Sequence, residues 1–188
     1  PLSGVILNSD HFLVTLALKP DILSIVSEYI GGLPLLNSVE IIRSIESGEN
    51  DWAKSQLWHR DHDDSRMLKL FIYLSDVSIN NEGPFEYYDS VATNAMGLRY
   101  SPIHKTDKVV SAAAESKPNL VFGNKGTCFF VDTHRCLHRG SRMKGSSSRL
   151  VYIATYTSSC RLVSKAQTIS VGGKADELTS AMLCPIDV

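Results

Sequence analysis

A chain of 188 residues, 43% hydrophobic and 21% charged, has enough apolar mass for one domain with its own core. Its 19 basic and 20 acidic residues are scattered and nearly balanced, which argues against nucleic acid as a partner. The four cysteines, Cys128, Cys136, Cys160 and Cys184, form no Cys-x-x-Cys pair, which excludes a thiolate zinc cluster of the usual spacing and a dense disulfide framework.

Reduced thiols are the expectation, and with them a cytoplasmic location. The apolar run from His11 to Val26 is broken by Lys19, Pro20 and Asp21, too short a stretch to span a bilayer, and no signal-peptide pattern stands in the chain. The first residues, Pro1-Leu2-Ser3-Gly4, lack an initiator Met, as a fragment or a processed protein would.

Residues 5–18 are apolar without a clear period. Pro20 and Asp21 open a helix over 21–30, with Ile22, Ile25, Val26 and Ile30 on one stripe and Gly31, Gly32 and Pro34 ending it. Residues 36–46 read as a strand of mixed alternation, 47–51 as a turn and 53–61 as the next strand. The strongest strand signal is 66–77. Leu68, Leu70, Ile72 and Leu74 share one face, suited to packing under a helix; Lys69, Phe71 and Tyr73 share the other, suited to lining a polar cavity. A turn at 79–83 leads to a short strand at 84–88. Residues 89–104 have no clean period and read as a loop, long enough to be a functional lid or a mobile segment. A helix follows at 104–115, a turn at 123–126, a strand at 127–132, a short strand at 136–139, a turn at 144–148 and a last strong strand at 149–157. The tail from 163 is mixed, with a short helix around 175–183. Many short strands, close turn signals and few helices predict a mainly β fold, a jelly-roll or double-stranded β-helix of the cupin type, with helices from the first third covering one sheet.

The chemistry concentrates in residues 55–64, SQLWHRDHDD. His59 and Asp61 are two apart at a strand end, so an imidazole and a carboxylate project to one side. His62 and Asp64 repeat the spacing, but in a run that reads as a solvated turn, whereas the first pair continues directly from Leu57 and Trp58. His138 is the expected third ligand. His134 is its rival but follows the turn-like Asp132-Thr133, while Gly140 beyond His138 permits a tight backbone beside a crowded metal. Cys136, two residues before His138, can share its face. Two His and one carboxylate with open positions form the facial triad that non-haem iron oxygenases use. Each of these residues is also compatible with a plain surface or backbone-bonded role, and His11 and His104, without partners at useful spacing, are read that way.

Arg149 opens a strand otherwise made of Leu150, Val151, Ile153 and Ala154. Its guanidinium is a fork for a carboxylate, costly to bury without one; the alternative is a strand-end arginine reaching solvent. Lys69 and Tyr73 point to the expected cavity, where either could assist Arg149, meet a substrate, or serve only as amphipathic strand residues.

Taken together, SQLWHRD (55–61), RMLKLFIYLSDV (66–77), EGPFEY (82–87), GTCFFVDTHRCLHRG (126–140) and Arg149 resemble the phytanoyl-CoA dioxygenase family of Fe(II)/2-oxoglutarate oxygenases. The likeness runs from 55 to 157 with a gap at 89–118. It implies Fe(II) held by His59, Asp61 and His138, and 2-oxoglutarate chelating the iron with its far carboxylate on Arg149. It also implies molecular oxygen as oxidant and hydroxylation of a small organic substrate with release of succinate and carbon dioxide. Related halogenases replace the carboxylate ligand by a small residue, so Asp61 favours hydroxylation. The chain departs from the family in following GPFEY with YDSVATN rather than a Pro-Gly-Ser-His-like turn, and in placing Val151 where some of these oxygenases have a hydroxyl. The expected organisation is one domain over 1–188: support at 1–50, a metal-bearing core at 51–160 and a tail at 161–188. The competing classes are a non-enzymatic jelly-roll binding module and a cupin enzyme using another divalent metal without 2-oxoglutarate.

Overall fold

The computed structural model describes residues 7–45, 54–78, 82–140, 142–143, 148–159, 169–170 and 175–183. Its elements begin with β1 (Leu7–Asn8), α1 (Phe12–Ala17), α2 (Pro20–Ile30), β2 (Leu35–Ile45) and a turn of 3-10 helix (Lys54–Gln56). They continue with β3 (Met67–Tyr73), β4 (Phe85–Tyr87), α3 (Ser90–Ala95), α4 (Asp107–Ala113), β5 (Asn119–Val121) and β6 (Cys128–Val131). The last are β7 (His138–Arg139), β8 (Ser148–Thr157), β9 (Ile169–Ser170) and α5 (Glu177–Met182).

The two longest strands and β3 form the centre of the main sheet, of order β2-β8-β3-β6 and antiparallel throughout. A smaller antiparallel sheet has the order β5-β4-β7, and β1 pairs with β9 in parallel. The mixed alternation of β2 has a physical cause: its register against β8 shifts between Leu36 and Ser38, so the strand changes face at Asn37. The expected turns at 47–51 and 144–148 and the start of the tail lie wholly or mostly outside the described residues.

Helix α2 starts with Pro20 at its first turn and ends on Gly31, whose φ of 82° suits the left-handed cap that glycine adopts without strain. Val26 and Ile30 of α2 and Val14 and Ala17 of α1 bury themselves against Leu68 and Leu70 of β3 and Tyr152, Ala154 and Tyr156 of β8. A fully buried side chain of this size contributes roughly 1.5–3 kcal/mol, so this layer is a main source of stability. Leu23 rather than Ile25 completes the helix stripe; Ile25 is half exposed. Tyr152 and Tyr156 tie the layer further, because their hydroxyls donate to the carbonyls of Leu13 and Ala17 at 2.7 Å, the latter at the helix end. On the opposite face of the main sheet, Phe71, Tyr73, Val131 and Val151 pack against Phe85 of the small sheet. The two faces of β3 therefore divide as its alternation foretold. A third cluster, Trp58, Tyr88, Val110 and Leu137, lies under α3 and α4 on the far side of the small sheet.

Two expectations need correction. Residues 53–61 are not a continuous strand: the 3-10 turn is followed by single bridges, Trp58 to Lys105 and His59 to His138. Polar residues crowd that segment, and it gains only one rung on each side. The 89–104 stretch is not all loop. Asp89 caps α3 by accepting a hydrogen bond from the Ala92 N–H at 2.8 Å, and a helix of six residues is too short to display a period. Among the described residues no helix is long and apolar enough to cross a membrane.

Candidate metal centre

The bridge between His59 and His138 adds the 58–61 segment to the edge of β7. Both backbone groups take part: the His59 N–H donates to His138 O at 2.9 Å, and the His138 N–H to His59 O at 3.0 Å. Gly140 allows the close approach, since its N–H donates to Ser55 O at 2.6 Å and a Cβ there would press on that same carbonyl at 3.2 Å. The Asp61 N–H is held by Thr133 O at 2.9 Å. These contacts point His59, Asp61 and His138 at a common spot, with one ligand atom of each within 4.8 Å of the others.

The hydrogen bonds fix the tautomers. His59 Nδ1 lies 2.8 Å from Leu57 O and His138 Nδ1 lies 2.9 Å from Cys136 O. A carbonyl only accepts, so both Nδ1 atoms carry the proton and both Nε2 atoms present a lone pair. Each Nε2 stands 3.8 Å from an Asp61 carboxylate oxygen. Burial keeps the rings neutral: it lowers the His138 pKa to about 4, and it lowers His59 as well. Burial acts to raise the Asp61 carboxyl, but the Lys69 ammonium, with a hydrogen bond from Thr133, overcomes it and holds the group well below the usual carboxylate range. Lys69 Nζ sits 2.7 Å from Asp61 Oδ2. Two neutral imidazole lone pairs and one ionised carboxylate are the donor set a borderline divalent cation takes, and the backbone carbonyls behind the rings are the outer partners that orient such ligands. The residues present therefore fit an Fe(II)-type ion.

Arg149 lies on the same inner face of β8 as Val151 and is 5% exposed. One terminal nitrogen donates to Gly83 O at 3.0 Å, the guanidinium lies 5.6 Å from the Tyr73 ring centroid, and Nε has no partner. Among the described residues no carboxylate approaches it within ion-pairing distance. Burial lowers its pKa from the ordinary arginine value, with Tyr73 opposing. Tyr73 has no spare proton, because its hydroxyl donates to Val121 O at 2.7 Å and accepts from the Phe85 N–H at 3.2 Å. The wall beside the two sites is aromatic. Phe71 stacks on Phe129 at 5.2 Å, and Phe85 meets the His138 ring at 5.5 Å. Lys69, one of the two cations expected near a co-substrate, is on Asp61.

The rival residues go elsewhere. Asp64, 1% exposed, accepts from the N–H groups of Ser65 and Ser158 and from the Ser158 hydroxyl. His62 meets the edge of the Tyr100 ring at 4.4 Å. His134 Nδ1 lies 3.2 Å from Asp61 O and 3.0 Å from the Tyr100 hydroxyl, so it braces the ligand segment from behind. Cys136 lies with the inner apolar cluster, where burial pushes its thiol up to about 11 and leaves it protonated. His11 caps α1.

Searches for a matching family model and for a matching curated sequence both find none. Solved structures do match. HygX from Streptomyces hygroscopicus, solved with iron bound, superposes with a TM-score of 0.54 at 14% identity, over 79% of this chain and 68% of that one. It is also solved with nickel and 2-oxoglutarate bound. EctD from S. alaskensis gives a TM-score of 0.60 at 13% identity, over 87% of this chain and 65% of that one. SnoK, described as a non-heme alpha ketoglutarate dependent carbocyclase from nogalamycin biosynthesis, gives 0.58 at 16%, over 81% and 60%. The chain shares their fold. It spans about two thirds of the length of HygX and EctD and less of SnoK.

One residue of this neighbourhood escaped the sequence reading. The His104 ring lies 4.7 Å from that of His59 because the Trp58–Lys105 bridge lays residue 104 beside residue 59. A single bridge between segments nearly fifty residues apart leaves no periodic signal in the sequence, and a His spaced from nothing reads as background.

Proposed function

We propose that this chain is a 2-oxoglutarate-dependent non-haem Fe(II) dioxygenase of the phytanoyl-CoA dioxygenase type, built as one jelly-roll domain. Its reaction is hydroxylation of a small organic substrate, with succinate and carbon dioxide as co-products. The observation that carries the reading is the pairing, within one interior, of a neutral His-Asp-His ligand set with a buried arginine that has no acidic partner among the described residues. A cation so placed calls for an anion from outside the chain.

When bound, the metal with 2-oxoglutarate and oxygen supplies the oxidising chemistry. The chain supplies position. His59 and His138 offer Nε2, and Asp61 offers Oδ1 while Lys69 keeps Oδ2. Arg149 takes the far carboxylate of the co-substrate by a charge-assisted fork, and Phe71, Phe85 and Phe129 exclude water from the space between. The motifs shared with the phytanoyl-CoA dioxygenase family support the same assignment, as do the bound ligands named for HygX. Hydroxylation is inferred from the carboxylate at Asp61; SnoK, described as a carbocyclase, has the same fold and marks product identity as the part to be tested.

The test is succinate formation from 2-oxoglutarate by the chain supplied with Fe(II) and oxygen, first alone and then against a substrate panel. Succinate from the wild type and none from His138→Ala is the expected result. Metal bound but no succinate with any substrate would replace the enzyme by a binding module.

A further inference from the structure

Outside the barrel, on the reverse side of the segment that carries His59 and Asp61, Arg60, Arg99, Lys105, Tyr100 and Ser101 line a small surface cleft with Thr93, Leu98 and Leu137. Alternation places it there: His59 and Asp61 face inward, so Arg60 between them faces out. Three of the eight lining residues are cations and none is an acid. None of the three forms an ion pair among the described residues. The contrast with their neighbours is plain, since Arg139 and Arg142 are both paired with Asp107, and Arg139 also with Glu86.

Arg60 is the fixed member. It is half-buried, its Nε donates to His134 O at 2.5 Å, and its guanidinium lies 4.6 Å from the Tyr100 ring centroid. The terminal nitrogens remain without a protein partner among the described residues. Lys105 is held by its backbone bridge to Trp58, and its N–H donates to Trp58 O at 2.7 Å. The cleft thus gathers one preset cation, Arg60, with the side chains of Lys105 and the exposed Arg99 and the Ser101 hydroxyl. Such a set offers more donors and more charge than a single carboxylate can match, and suits a tetrahedral oxyanion of charge two or more.

We propose that this cleft is a binding site for a phosphate group, distinct from the metal centre and from Arg149. It would be filled by inorganic phosphate or pyrophosphate, or by the phosphate of an organic ester. Its floor is connected to the ligand segment, because the Tyr100 hydroxyl donates to Asp61 O at 2.8 Å. A phosphate there would rest against the backbone that carries two of the three proposed metal ligands.

The test uses pyrophosphate and adenosine diphosphate as probes, titrated calorimetrically into the wild type at constant ionic strength with chloride as control. Saturable binding is expected, at least tenfold weaker in the Arg99→Ala/Lys105→Ala double variant and unchanged in Arg149→Met and His138→Ala. Arg99 is exposed and Lys105 bonds through its backbone, so this variant keeps the fold; a normal thermal melt checks it. Equal affinity for the two probes assigns the site to free phosphates; tighter binding of the diphosphate ester assigns it to an esterified ligand. The proposal is overturned if neither probe binds saturably, or if the double variant binds as the wild type does. It is also overturned if binding disappears in Arg149→Met, which would place the anion inside the barrel. The outcome does not depend on succinate production, so the site and the proposed activity stand or fall separately.

Discussion

Replacing Arg149 with Met separates a binding role from a structural one. In the free protein the guanidinium gains a charged hydrogen bond to Gly83 O, worth ~1.5–3 kcal/mol, and a contact with the Tyr73 ring, worth ~0.5–2 kcal/mol. Against these stands a desolvation cost of roughly several kcal/mol for a buried ion. The terms nearly cancel, and Met refills the stem, so the ligand-free melting temperature should move by no more than about 5 °C. The effect on 2-oxoglutarate is much larger. Removing one partner of a buried charge pair costs ~2–5 kcal/mol, which is roughly 30- to 5000-fold in Kd. Lys69 is already on Asp61 and offers no substitute, so a loss of about 100-fold, within this range, is expected. At a concentration of 100 times its Kd, the ligand stabilises the wild type by ~2.7 kcal/mol, a rise of about 5–11 °C; the same concentration gives the variant ~0.4 kcal/mol, about 1 °C. Anaerobic thermal melts with Fe(II), with and without 2-oxoglutarate, read both arms. An equal ligand-induced shift in the two proteins would refute the reasoning, because the buried cation would then have no part in the site.

The ligand assignment predicts that Asp61→Ala abolishes metal binding in equilibrium dialysis and also lowers stability, because it strands the buried Lys69 ammonium. Asp64→Ala should keep the metal, yet it strands the Ser158 N–H and lowers stability by ~2–4 kcal/mol in urea unfolding. His62→Ala should bind metal as the wild type does. Because burial already holds His138 neutral down to about pH 4 and Asp61 is ionised, protons compete weakly with the metal. Metal affinity should change less than about threefold between pH 8 and 6, where a pair of ordinary imidazoles would lose roughly tenfold or more. The same shift makes the metal-free protein acid-sensitive. The unfolded His138 protonates near 6.5 and the folded one only near 4, so the unfolded state binds more protons in that window. Stability is full above 6.5 and falls as the pH drops towards 4, by up to ~3 kcal/mol from this residue; urea midpoints at pH 7 and 4.5, compared with His138→Phe, measure it.

The parts that were legible in the sequence are those governed by period and by short spacing. The two faces of β3 followed from strict alternation, and α2 from its opening Pro20 and closing Gly31. His59, Asp61 and His138, picked out by residue type and spacing, lie together, with Gly140 in close contact with the Ser55 carbonyl. What could not be read depends on contacts between distant segments. The Lys69–Asp61 ion pair, the Tyr100 hydroxyl on Asp61 O and the His104 ring on His59 each join residues that no local pattern links. The strand expected at 53–61 failed for a related reason, since its apolar Leu57 and Trp58 suggested a ladder that the neighbouring chain meets at single rungs only. Helices α1 and α3, six residues each, are set by caps at His11 and Asp89 rather than by a hydrophobic stripe.

The central claim, a metal chelated by 2-oxoglutarate on His59, Asp61 and His138, is met most directly by anaerobic titration of the metal-free protein with Fe(II) and then 2-oxoglutarate, followed in the visible spectrum. A weak charge-transfer band that grows to one equivalent of co-substrate, needs more of it in Arg149→Met and never forms in His138→Ala is the predicted result. Tight iron binding with no band at saturating 2-oxoglutarate would contradict it, and would leave the His-Asp-His set as the site of a metal that works without this co-substrate.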